Sequence, residues 1–246
     1  MPSIIRPLSS STSLTLVVPC YNPAPRWGQR LVSRFRAFAK TCPTAPDLVL
    51  VHDGTPGGLD TSELETVRRE VEGLTYIDLP RNRGKGFALR RGVEAATGDY
   101  VVYTDIDLPY TLDSMRRLTA KLLADGGVVA GERFEDYYDG VPPFRRALSK
   151  AHRWLMRSTF RLPVSDSQAG LKGFDRAGRA VFLETTVDRF LVDLDFIARC
   201  RGRVKVQPVR VELRPDVEFT DFGLAILRRE AGNFARVFVR SWTGRG

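Results

Sequence analysis

Four times in the first hundred or so residues, a short apolar, β-branched run stops at a polar, turn-forming cluster. Residues 14–19 run into Cys20-Tyr21-Asn22-Pro23, and residues 48–51 into His52-Asp53-Gly54-Thr55-Pro56-Gly57-Gly58. Residues 75–79 lead to Arg81-Asn82-Arg83-Gly84-Lys85, and residues 100–103 to Asp105-Ile106-Asp107. Between these runs Leu31, Phe35 and Phe38 recur at helical spacing, and helices are predicted over residues 62–71 and 86–96. Strand and helix in alternation imply parallel pairing with right-handed crossovers. Near-continuous apolar strands belong to a sheet covered on both faces. The expected fold is therefore α/β: a single domain with a mostly parallel, Rossmann-like central sheet flanked by helices. In such open sheets ligands bind beyond the carboxyl ends of the strands, where all four polar clusters fall.

The second half is less regular. Residues 128–134 read as a further strand and exit loop, and residues 205–213 alternate like a strand. Residues 144–160 form an amphipathic cationic pattern, with Phe144, Ala147, Leu148, Ala151 and Leu155 on one face and Arg145, Arg146, Lys150, Arg153 and Arg157 elsewhere. A last helix is expected over residues 224–240 from Leu224, Leu227, Ala231, Phe234 and Phe238; this stripe suits the core, a membrane or a homodimer. The organisation read from these patterns is a disordered lead-in at 1–13, one domain at 14–215 (two halves, 14–130 and 131–215), and a C-terminal amphipathic helix at 216–246.

Charge narrows the partners. With 38 Lys and Arg against 29 Asp and Glu, the net charge of +9 suits polyanions, among them phosphorylated ligands, anionic lipid and nucleic acid. Nucleic acid is not expected, because no stacking platform interleaves with the basic residues. No apolar run reaches the eighteen or so residues of a membrane span. Residues 1–13 lack the apolar core of a secretory signal, and three widely spaced cysteines without a Cys-x-x-Cys pair suit a reducing compartment. The expected location is the cytoplasm, with peripheral attachment to the cytoplasmic face of a membrane.

Asp105 and Asp107, one residue apart at a strand end, can together bind one hard cation, Mg²⁺ or Mn²⁺, whose remaining sites are filled by water and ligand phosphates. Asn82-Arg83-Gly84-Lys85-Gly86 is neither a dinucleotide fingerprint nor a P-loop: Leu89 stands where the third glycine would be, and no serine or threonine follows Lys85. It remains a basic loop opening a helix, suited to an anion. Asp53-Gly54 can be a nucleoside contact or a tight turn. His52 and His152 are far apart and no Gly-x-Ser-x-Gly is present, which leaves a hydrolase triad without support.

The ordered set Val18-Pro19-Cys20-Tyr21-Asn22, Val51-His52-Asp53-Gly54-Thr55, Asn82-Arg83-Gly84-Lys85-Gly86, Asp105-Ile106-Asp107 and Asp166-Ser167-Gln168-Ala169-Gly170-Leu171-Lys172 resembles family 2 glycosyltransferases. Within that family it is most similar to the dolichyl- and polyprenyl-phosphate glucosyl- and mannosyltransferases. The resemblance implies an inverting, metal-dependent enzyme of the GT-A fold. Pro19, Tyr21, Asn22, Asp53, Lys85, Asp105 and Arg133 would lie about the nucleotide-sugar donor, with UDP-glucose first and GDP-mannose second. Asp105 and Asp107 would hold Mg²⁺ or Mn²⁺. Asp166, Gln168, Asp193 and Asp195 would sit at the reacting sugar, and Lys172 with Arg145, Arg146 and Lys150 would meet the acceptor, a lipid phosphate or a glycan. His52 in place of the family's first aspartate, and Leu171 in place of an aromatic, depart from the pattern, and no counterpart of the long hydrophobic C-terminal extension of many lipid-linked relatives is expected. Nucleotidyl transfer would want a glycine-rich, arginine-bearing loop after the first strand, where this chain has Cys20-Tyr21-Asn22-Pro23.

Overall fold

The computed structural model describes residues 13–133, 162–164, 166–167, 169–217, 232–234, 237 and 239. Among them the chain runs β1 (Leu14–Cys20), α1 (Trp27–Ala39), β2 (Asp47–His52), α2 (Thr61–Glu70), β3 (Leu74–Asp78), α3 (Lys85–Ala95), β4 (Tyr100–Tyr103), α4 (Leu112–Asp125), β5 (Val128–Arg133), β6 (Lys172–Phe174), α5 (Arg176–Leu183), α6 (Val192–Cys200) and β7 (Val206–Val211).

The strands form one sheet in the order β3-β2-β1-β4-β6-β5-β7. β1 pairs in parallel with β2 and β4, β2 with β3, and β5 with β7, whereas β6 runs antiparallel to both β4 and β5. The chain moves outward from β1 through β2 to β3, then returns to place β4 on the other side of β1. A crevice opens at such a reversal, and it lies at the carboxyl ends of β1 and β4.

Alternation along each strand divides the core in two. Leu16, Val18, Leu48 and Leu50 pack with Leu31, Phe35 and Phe38 of α1 and Leu118 and Leu122 of α4. Val17, Val49, Val51 and Tyr103 face the other way, toward Leu89 and Val93 of α3, Phe182 of α5 and Phe196 of α6. Phe174, Phe182 and Phe196 form an aromatic cluster with centroids 5.0 to 5.4 Å apart. The helices thus cover both faces of the sheet, as the strand pattern required.

Four elements escaped the sequence pattern: α4, α5, β6 and α6. α4 follows an N-cap, Thr111, whose side chain accepts from Ser114 N, a signal of the kind that opens helices. α5 begins at Asp175, whose side chain accepts from Gly178 N. β6 is only three residues long, Lys-Gly-Phe, and none of them announces a strand. It becomes one because it completes the ladder between β4 and β5.

Ser13, placed in the lead-in by the sequence, is tied to the sheet: its carbonyl accepts from Tyr100 N and its hydroxyl bonds Asp99. The rest of that segment and the cationic pattern at 144–160 lie outside the described residues. Of the C-terminal helix, residues 232–234, 237 and 239 are described and helical. Val237 is buried and Phe234 packs against the core, so this part of the stripe serves the core.

α1 has no side-chain cap of its own, since Arg26 occupies the N-cap in a left-handed conformation (φ 60°). Glu63 of α2 substitutes: its Oε2 accepts from Gly28 N at 2.7 Å and Gln29 N at 3.1 Å. A carboxylate there also meets the positive end of the helix dipole. Glu63→Ala should cost about 1–2 kcal/mol in urea unfolding, and Glu63→Gln, which keeps an acceptor, roughly half of that. Equal stability of Glu63→Ala and wild type would refute the cap.

Candidate functional site

The crevice is lined by residues from strand ends that the sequence leaves far apart. On the β1–β2 side, Tyr21 is 48% exposed, and Asn22 adopts a left-handed conformation while its N–H donates to Thr55 Oγ1 at 2.9 Å. Pro19 belongs to β1, in register with Val51 of β2. His52, at the end of β2, accepts from Thr55 N at Nε2 (2.8 Å), so its proton sits on Nδ1 and is donated to Asp78 Oδ1 at 2.7 Å. The histidine that replaces the family's aspartate therefore braces the 53–58 loop against the end of β3.

Asp53 is 2% exposed, and both of its oxygens are engaged by the basic loop. Arg83 N donates to Oδ1 at 2.7 Å, and Gly84 N and Asn82 Nδ2 donate to Oδ2 at 2.8 and 2.9 Å. Burial raises its carboxyl pKa against the pull of these N–H donors. Gly54 beside it has φ 59°, and a Cβ there would lie 2.3 Å from the carbonyl carbon of Arg81. Through these bonds Asp53, expected to contact the donor, fixes the Asn82–Lys85 turn.

Lys85, the first residue of α3, reaches Asp105 Oδ1 at 2.7 Å. Burial lowers its pKa, but the charges of Asp105 and Asp193 outweigh that and leave it raised. Asp107 follows with its carboxyl pKa raised, first by burial and then by the negative charge of Asp105. Asp105-to-Leu108 forms a turn closed by Leu108 N donating to Asp105 O at 2.9 Å. Among the described residues no group of three or more His, Cys, Asp or Glu side chains forms a complete metal cage. Two oxygen donors that repel each other at the mouth of a crevice fit a hard cation that takes few protein ligands and completes its shell with phosphate and water.

Deeper in, Asp193 and Asp195 of α6 are both buried. Asp193 Oδ1 accepts from Tyr103 Oη at 2.6 Å and from Lys172 Nζ at 2.7 Å. Lys172 is 0% exposed, and its ammonium also donates to Ala169 O. Burial lowers the Lys172 pKa, and burial followed by the Asp193 charge raises that of Tyr103 well above its ordinary range. Lys172, expected at an acceptor phosphate, is enclosed here and paired with Asp193. Asp195, expected at the reacting sugar, is enclosed as well. It accepts from Thr186 N at 2.8 Å and from Arg199 Nε at 2.9 Å, and so braces the 184–191 segment.

Arg133 and Asp166 pair in a fork, Nε to Oδ2 at 2.6 Å and a terminal nitrogen to Oδ1 at 3.1 Å. Tyr110 is buried, 4% exposed, and that burial pushes its hydroxyl pKa up, with the charges of Arg133, Asp105 and Asp166 acting on it as well. Gly170 leaves room for the Asp105 carboxylate, since a Cβ there would lie 2.6 Å from Asp105 Oδ2 and 3.3 Å from Lys85 Nζ. Gln168, Arg145, Arg146 and Lys150 lie outside the described residues. Sequence reading missed Tyr103 and Tyr110. Tyr103 stands two residues before Asp105, a signal that strand alternation could have supplied. Tyr110 carries no sequence signal of its own.

The mostly parallel sheet, its chain reversal and the Asp-x-Asp turn define an α/β fold of the glycosyltransferase kind. The model of the family described as glycosyl transferase family 2 matches residues 15–179, and the chain belongs to that family. A dolichyl-phosphate beta-glucosyltransferase of Drosophila melanogaster is 26% identical over 204 residues, 77% of this chain. This chain spans 63% of that relative's length. Glucosyl-3-phosphoglycerate synthase from Mycobacterium tuberculosis, solved with phosphoglyceric acid, superposes with TM-score 0.65 over 94% of this chain and 80% of its own at 15% identity. A Pyrobaculum calidifontis mannosyltransferase solved with GDP-Man and Mn²⁺ gives TM-score 0.54 at 18% identity over 98% of this chain and 67% of its own. The expected GT-A fold is borne out. Among the described residues no helix is long and apolar enough to cross a membrane.

Proposed function

We propose that this protein transfers a hexose from a nucleotide sugar to a polyprenyl- or dolichyl-type phosphate at a membrane surface, with inversion at the anomeric carbon. One observation carries the reading: Lys85, Asp105, Asp107 and the buried Asp193–Lys172 pair gather at one crevice in a family 2 chain. Tyr21, Asn22 and Pro19 flank the nucleoside. Lys85 stands at the mouth of the basic loop to meet donor phosphate, and Asp53 acts through that loop. Asp105 and Asp107 would hold Mg²⁺ or Mn²⁺, which supplies charge neutralisation for the departing nucleoside diphosphate. The activity named for the Drosophila relative, a dolichyl-phosphate beta-glucosyltransferase, supports both acceptor class and stereochemistry, since a beta product from an alpha-linked nucleotide sugar is an inversion. That name also puts UDP-glucose ahead of GDP-mannose as donor.

A phosphate monoester has its second pKa near ~6, so the acceptor is already a nucleophile at neutral pH and needs no base. Its oxygen attacks the anomeric carbon as the bond from that carbon to the donor phosphate oxygen breaks, and the diphosphate leaves with the electron pair. The residues then serve to align two anions and offset their repulsion. Asp193 favours a second reading, transfer to a hydroxyl. Tyr103 and Lys172 fix its Oδ1, and a carboxylate oriented this way could take the acceptor's proton.

Four donors (UDP-glucose, UDP-galactose, UDP-N-acetylglucosamine and GDP-mannose) offered with Mn²⁺ or Mg²⁺ and a short polyprenyl phosphate test the reading. Metal-dependent transfer to the lipid is the expected result. Donor binding or hydrolysis without lipid transfer would move the acceptor to a hydroxyl, and indifference to all four donors would overturn the proposal. Gly170→Ala offers a local test. The added methyl displaces the Asp105 carboxylate, a flexible group, so donor-supported transfer should fall at least about tenfold while the unfolding midpoint stays near that of wild type. Unchanged transfer would remove Asp105 from the site.

A further inference from the structure

Behind the Asp-x-Asp turn, two arginines from opposite ends of the chain converge on one atom. Arg34 of α1 donates through Nη1 to the carbonyl oxygen of Asp107, and Arg214, just past β7, donates to the same oxygen through Nη2 at 3.3 Å. Asp216 bridges them from outside, with Oδ2 3.1 Å from Arg34 and Oδ1 3.5 Å from Arg214. The segment bearing Arg214 is pinned to the same turn by its backbone. Arg214 N donates to Pro109 O at 2.9 Å, Thr111 N donates to Glu212 O at 2.9 Å, and Tyr110 bridges Leu213.

The arrangement carries local costs. Two guanidinium groups share one acceptor although they repel. Arg214 Nε is buried without a hydrogen-bond partner among the described residues. Leu108, the residue after Asp107, is held at φ 40°, a conformation unfavourable for a side chain branched like leucine. Costs of this kind persist where the surrounding structure over-determines a geometry that function uses.

We propose that Arg34 and Arg214 are positioning residues for the donor site: by gripping the Asp107 carbonyl they fix the peptide that presents the Asp105 and Asp107 carboxylates, and they touch neither sugar nor diphosphate. The inference rests on the reading of Asp105 and Asp107 as the metal-holding pair. It couples the tail of β7, outside the family match at residues 15–179, to the centre of the site. Partners that orient metal-binding groups from behind commonly change metal affinity by ten- to a hundredfold when removed.

The test is Mn²⁺ titration of the full chain, followed by the free-ion electron paramagnetic resonance signal in saturating UDP and, separately, GDP. Arg34→Met and Arg214→Met should each weaken Mn²⁺ binding on the order of tenfold, and Arg214→Lys should recover part of the loss. Mn²⁺ affinity within about twofold of wild type, in variants with unaltered unfolding curves, would overturn the proposal. Should Arg214→Met fail to fold, Asp216→Ala carries the test, because its carboxylate is 62% exposed. It should weaken binding roughly threefold by loosening both arginines, and unchanged affinity would again be decisive against the clamp. A wild-type protein that binds no Mn²⁺ with either nucleotide would overturn the metal-site reading itself, and the clamp with it.

Discussion

Asp193→Ala should destabilise the protein by about 3–5 kcal/mol, because it leaves the buried Lys172 ammonium without its counter-charge. Lys172 is 0% exposed, and its remaining partner would be the carbonyl of Ala169. The Tyr103 hydroxyl would lose its acceptor in the same step. Urea unfolding measures the loss, and a change under about 1 kcal/mol would contradict the pairing. The double variant Asp193→Leu with Lys172→Met tests the origin of the effect. Replacing a buried ion pair by apolar groups of similar volume is often close to neutral, so much of the stability should return. Activity separates the acceptor readings: a hydroxyl acceptor requires Asp193 as base, and the refolded double variant should then be inactive. Full activity in Asp193→Ala would eliminate that role, whatever the stability.

Asp107→Ala should lower sugar transfer by roughly a hundredfold to a thousandfold, the scale associated with losing one strong electrostatic contact to developing charge. Its effect on folding should be small, because Asp107 stands one residue from Asp105 and removing one of two like charges relieves repulsion. Arg34 and Arg214 grip the backbone carbonyl of residue 107, which survives the substitution. Steady-state transfer alongside a thermal unfolding curve checks both parts. A variant that keeps more than about a tenth of wild-type transfer would show that the carboxylate is not part of the donor site. A variant that loses activity by unfolding would show instead that Asp107 serves the turn.

The sequence by itself determined the half of the fold built from β1 to β4. Apolar runs at 14–19, 48–51, 75–79 and 100–103 have no alternative to burial in a covered sheet, and the observed strands differ from them by at most one residue at either end. It also placed Lys85, Asp105 and Asp107 along the same edge of the sheet, because polar clusters after parallel strands share one edge. What it could not decide was partnership. Lys172 read as an acceptor contact because a lysine in a polar motif looks exposed, yet β6 slots between β4 and β5 and takes that lysine wholly inside. Asp53 read as a nucleoside ligand, while the fold presents it to the N–H groups of a loop 30 residues further on. Arg34 and Arg214, separated by most of the chain, carried no motif at all. Periodicity reports which face of an element is buried, and spacing reports what local backbone can bring together. Which charge meets which across the sheet is fixed only when the layers close and each buried group must find a partner or remain costly.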